Sequence, residues 1–163
     1  MKVLVCGGRD FDDYELLLLV LDEIKDITEI GHGDARGTDR LAGRYADYRG
    51  IPCSTWPADW DAHGKSAGPI RNRKMFKEFK PDLVIAFPGG TGTRDMVSVA
   101  QKGRCPVRIV DPEEYVLEFY RASGDCICSV CNLPYRKHPF HSILNWQGDP
   151  YLNLLCNGDV VKL

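Results

Sequence analysis

The run Leu83-Val84-Ile85-Ala86-Phe87 constrains the fold more than any other stretch, because it is short, apolar throughout and bounded by Pro81 and Pro88. A strand with one wet face alternates polar and apolar residues, whereas a strand covered on both faces does not, and double cover is the habit of parallel sheets. The run stops at Pro88-Gly89-Gly90-Thr91-Gly92-Thr93, after which Met96 to Lys102 has helical character. Strand, glycine turn and helix aim unpaired backbone N–H groups and the positive end of the helix dipole at an anion. Thr91 and Thr93 add hydroxyl donors, and the glycines let a phosphate come close to the backbone. A phosphate-bearing ligand is the expectation.

The same alternation runs through the chain. Lys2 to Cys6 reads as a strand ending at Gly7-Gly8-Arg9-Asp10, a second candidate anion or sugar turn. Asp12 or Asp13 is placed to cap a helix through Leu16, Leu17, Val20, Leu21 and Ile24. Ile27 to His32 reads as the second strand, with a helix through Leu41, Ala42, Tyr45 and Ala46 after it, and Ile51 to Trp56 as the third. Pro106 to Val110 reads as the fifth, with a closing helix over Pro112 to Arg121. Regular alternation predicts an α/β fold: right-handed crossovers and a parallel sheet with helices on both faces, with the ligand at the carboxyl ends of the strands.

Between the third and fourth strands, Pro57 to Pro69 is too long for a simple connector and holds Asp59, Trp60, Asp61, His63 and Lys65. The helix expected from Ile70 carries Arg71, Arg73 and Lys74 in its first turns, where positive charge opposes the dipole unless an anion sits nearby.

Composition narrows the function classes. With 163 residues and a net charge of −2, the chain suits one domain plus a small appendage and lacks the basic surplus of a general duplex-DNA binder. It has no apolar run near the ~20 residues of a spanning helix, and the opening apolar run is too short for a secretory signal, so no membrane role and a cytoplasmic setting are expected. Seven cysteines, an odd number, argue against a disulfide framework.

Five motifs in order carry a resemblance: Gly7-Gly8-Arg9-Asp10-Phe11; Gly33-Asp34-Ala35-Arg36-Gly37-Thr38-Asp39; Ala58-Asp59-Trp60 with His63-Gly64-Lys65; Ala67-Gly68-Pro69-Ile70-Arg71-Asn72-Arg73 with Met75; and Pro88-Gly89-Gly90-Thr91-Gly92-Thr93. Over residues 1 to 111 the chain resembles the YspA-like branch of the SLOG superfamily, which also includes the lonely-guy phosphoribohydrolases and DprA. The resemblance implies a modified Rossmann-like fold and a nucleotide-derived ligand held by Gly7, Gly8, Arg9, Asp34, Arg36, Asp39, Trp60, Arg71, Asn72 and residues 88 to 93. It also implies a possible phosphoribohydrolase activity on a nucleoside 5′-monophosphate, the alternative being a sensor or sequestering module without turnover. Arg71 before Met75 matches an arginine of those hydrolases, but Met96 stands where they carry a glutamate. A thioether cannot do the proton chemistry of a carboxylate, which leaves Asp95, Asp59 and His63 as acid–base candidates beside Arg71. A DprA-like contact with single-stranded DNA lacks the expected basic and aromatic groove. No organic cofactor is expected; a homo-oligomer is.

The resemblance stops before the C-terminal residues, so the expected division is 1–122 for the nucleotide-binding domain and 123–163 for an appendage. Cys128-x-x-Cys131 has the spacing of a zinc knuckle, with Cys126, His138, His141 and Cys156 available to complete a tetrahedral site. Structural zinc would supply the stability that so small a core lacks. Packing of reduced thiols without metal is the alternative.

Overall fold

The computed structural model describes residues 1–112 and two short strands, Leu152–Leu154 and Val160–Lys162. It divides into two units, Met1–Asp111 and Pro112–Leu163. In the first unit the order is β1 (Lys2–Cys6), α1 (Tyr14–Asp22), β2 (Glu29–His32), α2 (Thr38–Arg49), β3 (Cys53–Thr55), α3 (Trp60–His63), a 3-10 turn (Gly64–Ser66), α4 (Ala67–Phe79), β4 (Leu83–Ala86), α5 (Thr91–Lys102) and β5 (Val107–Ile109). The second contains β6 (Leu152–Leu154) antiparallel to β7 (Val160–Lys162).

The five-stranded sheet has the order β3-β2-β1-β4-β5 and every pairing in it is parallel. This is the α/β architecture expected from the sequence, and the order reverses between β1 and β4. Val3 pairs with Ile30 on one side and with Leu83 on the other, so β1 is the central strand. Side chains alternate across the sheet: Leu4 and Cys6 join Met75, Phe79, Val84, Ala86, Met96 and Ala100 in the core under α4 and α5. Right-handed crossovers place α1 and α2 on the opposite face, over Val3 and Val5. Among the described residues no helix is long and apolar enough to cross a membrane.

Several boundaries depart from expectation for identifiable reasons. α1 is capped as expected, by Asp13, whose Oδ1 accepts the Leu16 N–H at 2.9 Å, but it ends at Asp22, short of Ile24. The segment read as a loop over Pro57 to Pro69 winds into α3, the 3-10 turn and the first residues of α4, because Asp59 Oδ1 accepts the Ala62 N–H at 2.9 Å and Pro69 fits a first helical turn. The helix expected from Met96 begins five residues earlier, at Thr91. Thr91, Gly92 and Thr93 are poor helix formers, but the face of the helix with Thr93, Met96 and Ala100 is buried. The closing helix after Pro112 and the donors Cys126, Cys128, Cys131, His138, His141 and Cys156 lie outside the described residues.

Candidate functional site

Two turns meet where the strand order reverses. The Gly8 N–H donates to the Pro88 carbonyl at 2.8 Å, and the Gly8 carbonyl accepts from both the N–H (3.1 Å) and the hydroxyl (3.2 Å) of Thr38. A Cβ on Gly89 would collide with Thr93 Oγ1 and lie 2.7 Å from Gly8 N and 2.9 Å from Gly7 C. These glycines are required because backbone packs on backbone. Gly90 and Gly92 differ, since a Cβ on either would meet nothing within 4 Å. The open side of the turn is therefore the helix start itself.

The helix starts around this crevice are not equivalent. Asp13 caps α1, with Glu15 in its first turn, and Asp59 caps α3, with Asp61 in its first turn. Asp39 lies in the first turn of α2. α4 and α5 both lack a side-chain cap and a first-turn acid, but α4 continues directly from the 3-10 turn, whereas α5 starts at the glycine turn, with Gly90 as N-cap and Arg94 just after its first residues. The first N–H groups of α5 have no acceptor within the helix, so the positive end of the dipole is uncompensated by the protein. In an ordinary dinucleotide fold the helix after β1 takes the phosphate. Here that helix is already occupied by its own carboxylate.

The remaining candidates fall into two groups. At the ends of β2 and β3, Arg71 reaches in from α4: its Nη1 donates to the Trp56 carbonyl at 3.1 Å and lies 3.9 Å from Asp39 Oδ2. Its guanidinium occupies the space a Cβ on Gly33 would fill. The anion that the arginine in α4 calls for is thus the protein's own Asp39, which also accepts the Ala35 N–H at 3.1 Å. Asn72, the next residue, points the other way and is buried, its Nδ2 donating to the Gly92 carbonyl (3.1 Å) and to Asp95 Oδ2 (2.9 Å). It ties α4 to the first turns of α5 and orients Asp95.

At the rim, the Arg9 guanidinium stacks 5.0 Å from the centre of the Trp60 ring, which is 47% exposed. Arg36 pairs with Asp10 at 2.8 Å in the open. Asp59 spends its carboxylate as a cap, and His63 is exposed at the end of α3. Met96 is 1% exposed and belongs to the core.

His32 is the residue the sequence reading passed over. It ends β2 buried, and its Nδ1 accepts the Asp34 N–H at 3.1 Å, which places the proton of the neutral ring on Nε2. Burial lowers its pKa from the ordinary 6.5; Asp39 and Asp34 oppose that shift and Arg71 adds to it. Burial raises Asp39, against its bond from Ala35 and the charge of Arg71. The Cys6 thiol is pushed up to about 12, by burial first, and stays protonated. The alternation of β2 over Ile30 and His32 was the available signal.

Two expectations follow from this cluster. Between the lowered pKa of folded His32 and the unfolded value of 6.5, the denatured chain binds more protons, so stability is complete above 6.5 and falls on acidification. The unfolding midpoint should drop between pH about 7 and 5.5, with a flatter profile in His32→Asn; an unchanged slope in that variant would assign the effect elsewhere. Arg71→Ala leaves Asp39 buried without its guanidinium. Because backbone N–H groups still hold that carboxylate, the expected loss in urea unfolding is about 2 kcal/mol, below the usual cost of breaking a buried pair.

The sequence profile of the YspA, cpYpsA-related SLOG family matches residues 1–63. The Gene 61 protein of Mycobacterium phage D29 is 34% identical over 117 residues, spanning 65% of this chain and 93% of that protein. The chain belongs to the YspA, cpYpsA-related SLOG family. Among solved structures, it is similar to UDP-GlcNAc 2-epimerase from Neisseria meningitidis bound to UDP-GlcNAc, at 18% identity and a TM-score of 0.46 over 69% of this chain. A second UDP-N-acetylglucosamine 2-epimerase structure gives 19% identity and the same TM-score over 69% of this chain. The chain spans about a third of the length of each epimerase. In this SLOG member, the matched residues include the β1 turn, the end of β2 and α3, whereas Arg71, Asn72 and the α5 turn lie beyond them.

Proposed function

We propose that this protein binds a nucleotide or nucleotide-derived phosphate ligand at the carboxyl ends of the strands, with the phosphate at the start of α5, and releases it intact. The observation that carries this reading is the uncapped, acid-free first turn of α5, open at Gly90 and Gly92, at the point where the sheet order reverses. Turnover is disfavoured because Met96, at the position of the hydrolases' glutamate, is sealed in the core. One observation favours the second reading, N-glycosidic hydrolysis: Asp95 is partly exposed and its carboxylate is oriented by Asn72.

The test is incubation of the purified protein with a panel of nucleoside mono- and diphosphates, followed by mass spectrometry of the retained and free fractions. A retained nucleotide with its base attached is expected. Free base whose release disappears in Asp95→Asn would establish hydrolysis instead, and failure to retain any phosphate-bearing compound would overturn both readings. For the C-terminal residues the proposal is one structural zinc ion held by Cys128, Cys131 and two of Cys126, His138, His141 and Cys156, supported by the donor spacing in the sequence.

A further inference from the structure

The net charge of −2 hides an uneven division within the first unit. Between Met1 and His63 thirteen carboxylates meet seven lysines and arginines, whereas between Gly64 and Pro106 nine lysines and arginines meet three carboxylates. The sheet separates the two populations, because α1 lies on one of its faces and α4 with α5 on the other. All three carboxylates of the basic stretch are turned to other partners: Glu78 accepts the Trp56 Nε1–H at 3.0 Å, Asp82 the Lys2 N–H at 2.7 Å and Asp95 the Asn72 amide at 2.9 Å. Among the described residues, the exposed Arg73, Lys74, Lys77, Lys80, Arg94 and Lys102 form no ion pair.

The outer faces of α4 and α1 carry matching patterns of opposite sign. On α4, Ile70, Arg73, Lys74 and Lys77 fall at i, i+3, i+4 and i+7 and are all exposed, Ile70 by 42%. On α1, Glu15, Leu18, Leu19 and Asp22 repeat that spacing, with the carboxylates exposed and the leucines only partly buried. Asp12 and Asp26, beyond the two ends of α1, lengthen the acidic strip. A nucleic acid would use the cations of α4 alone and be repelled by the acidic side, whereas a second copy offers opposite charge and apolar surface together. We infer that the α4 face docks on the α1 face of a second copy of this chain. Because the two faces lie on opposite sides of the sheet, the contact is heterologous: a joined pair keeps one unused face of each kind, and further copies can add to it.

Sedimentation velocity of the full chain tests this. In about 0.02 M salt, where charges act over ~20 Å, the average mass should rise with protein concentration above the 18.3 kDa of one chain. In about 0.5 M salt, where screening cuts that reach to ~4 Å, it should return to the single-chain value. Lys74→Glu with Lys77→Glu spoils the basic face alone, and Asp12→Lys with Glu15→Lys the acidic face alone. Each double variant by itself should associate at least about 100-fold more weakly than the unaltered protein, and an equimolar mixture of the two should associate again. Circular dichroism reports whether each folds, and Lys74→Gln with Lys77→Gln or Asp12→Asn with Glu15→Gln replaces a reversed pair that does not. Unaltered protein that stays single at low salt, association indifferent to salt, or double variants that associate no better mixed than apart would each overturn the inference. So would a labelled single-stranded oligonucleotide that the unaltered protein binds at concentrations too low for self-association and that Lys74→Glu with Lys77→Glu releases, since the basic face would then belong to nucleic acid.

Discussion

Gly90→Val is expected to give a folded protein whose affinity for a nucleoside 5′-monophosphate is lower by about 100-fold, the equivalent of two charge-assisted hydrogen bonds, whereas Gly89→Ala is expected to damage the fold itself. The two residues are adjacent and chemically identical, so the contrast isolates the space around each. A Cβ at 90 would meet nothing of the protein within 4 Å and would stand on the open ground before the first turn of α5. Its cost to folding is that of a poor N-cap, about 1 kcal/mol. A methyl group at 89 presses on the backbone of Gly7 and Gly8 and on Thr93, and parting those turns breaks the Gly8 to Pro88 hydrogen bond. The loss there should exceed about 3 kcal/mol, since backbone cannot move aside as a side chain can. Circular dichroism and denaturant unfolding report the fold, and calorimetry reports the affinity. Full phosphate affinity in folded Gly90→Val would remove the start of α5 from the site.

The second large effect concerns the C-terminal residues. Cys131→Ser is expected to lose one equivalent of zinc by elemental analysis and to make this segment the first target of protease, while residues 1–111 stay resistant. The reasoning is one of stability. Residues 124 to 163 include Gly124, Pro134, Pro139, Gly148 and Pro150 among few apolar anchors, and a core of that size seldom orders itself without a cross-link. A four-coordinate thiolate and imidazole site supplies one, since its binding free energy is folding free energy. The donors lie far in sequence from the glycine turns, so the metal is expected to be structural, with no open position. Metal-free protein with an equally resistant tail would assign the order to packing alone.

The fold was legible in the sequence because strands covered on both faces leave unbroken apolar runs, and Leu83 to Phe87 is such a run. The start of α5 was less so. Gly92 and Thr93 read as turn residues by propensity, and only burial of Thr93 and Met96 against the sheet shows that they are already helical. Arg71 was visible as an arginine in need of an anion, but nothing local names Asp39, 32 positions away in the chain, as that anion. His32 was hidden for the same reason. Asp34 is local to it, but Asp39 and Arg71 reach it only when β2, α2 and α4 are assembled.

The central position of β1 also sets a timetable for synthesis. Val3, Leu4, Val5 and Cys6 pair with β4, whose Leu83 follows Val3 by about 80 residues. At ribosomal rates of ~5–20 residues per second, β1 waits several seconds for that neighbour and for the cover of α4 and α5. During the wait the nascent chain can offer it only β2, and one flank of its backbone donors and acceptors stays open. A chain released before Ala86 would carry that open flank permanently, so nonsense or frameshift products ending upstream of β4 should be aggregation-prone remnants, cleared by proteases, rather than partial binding modules.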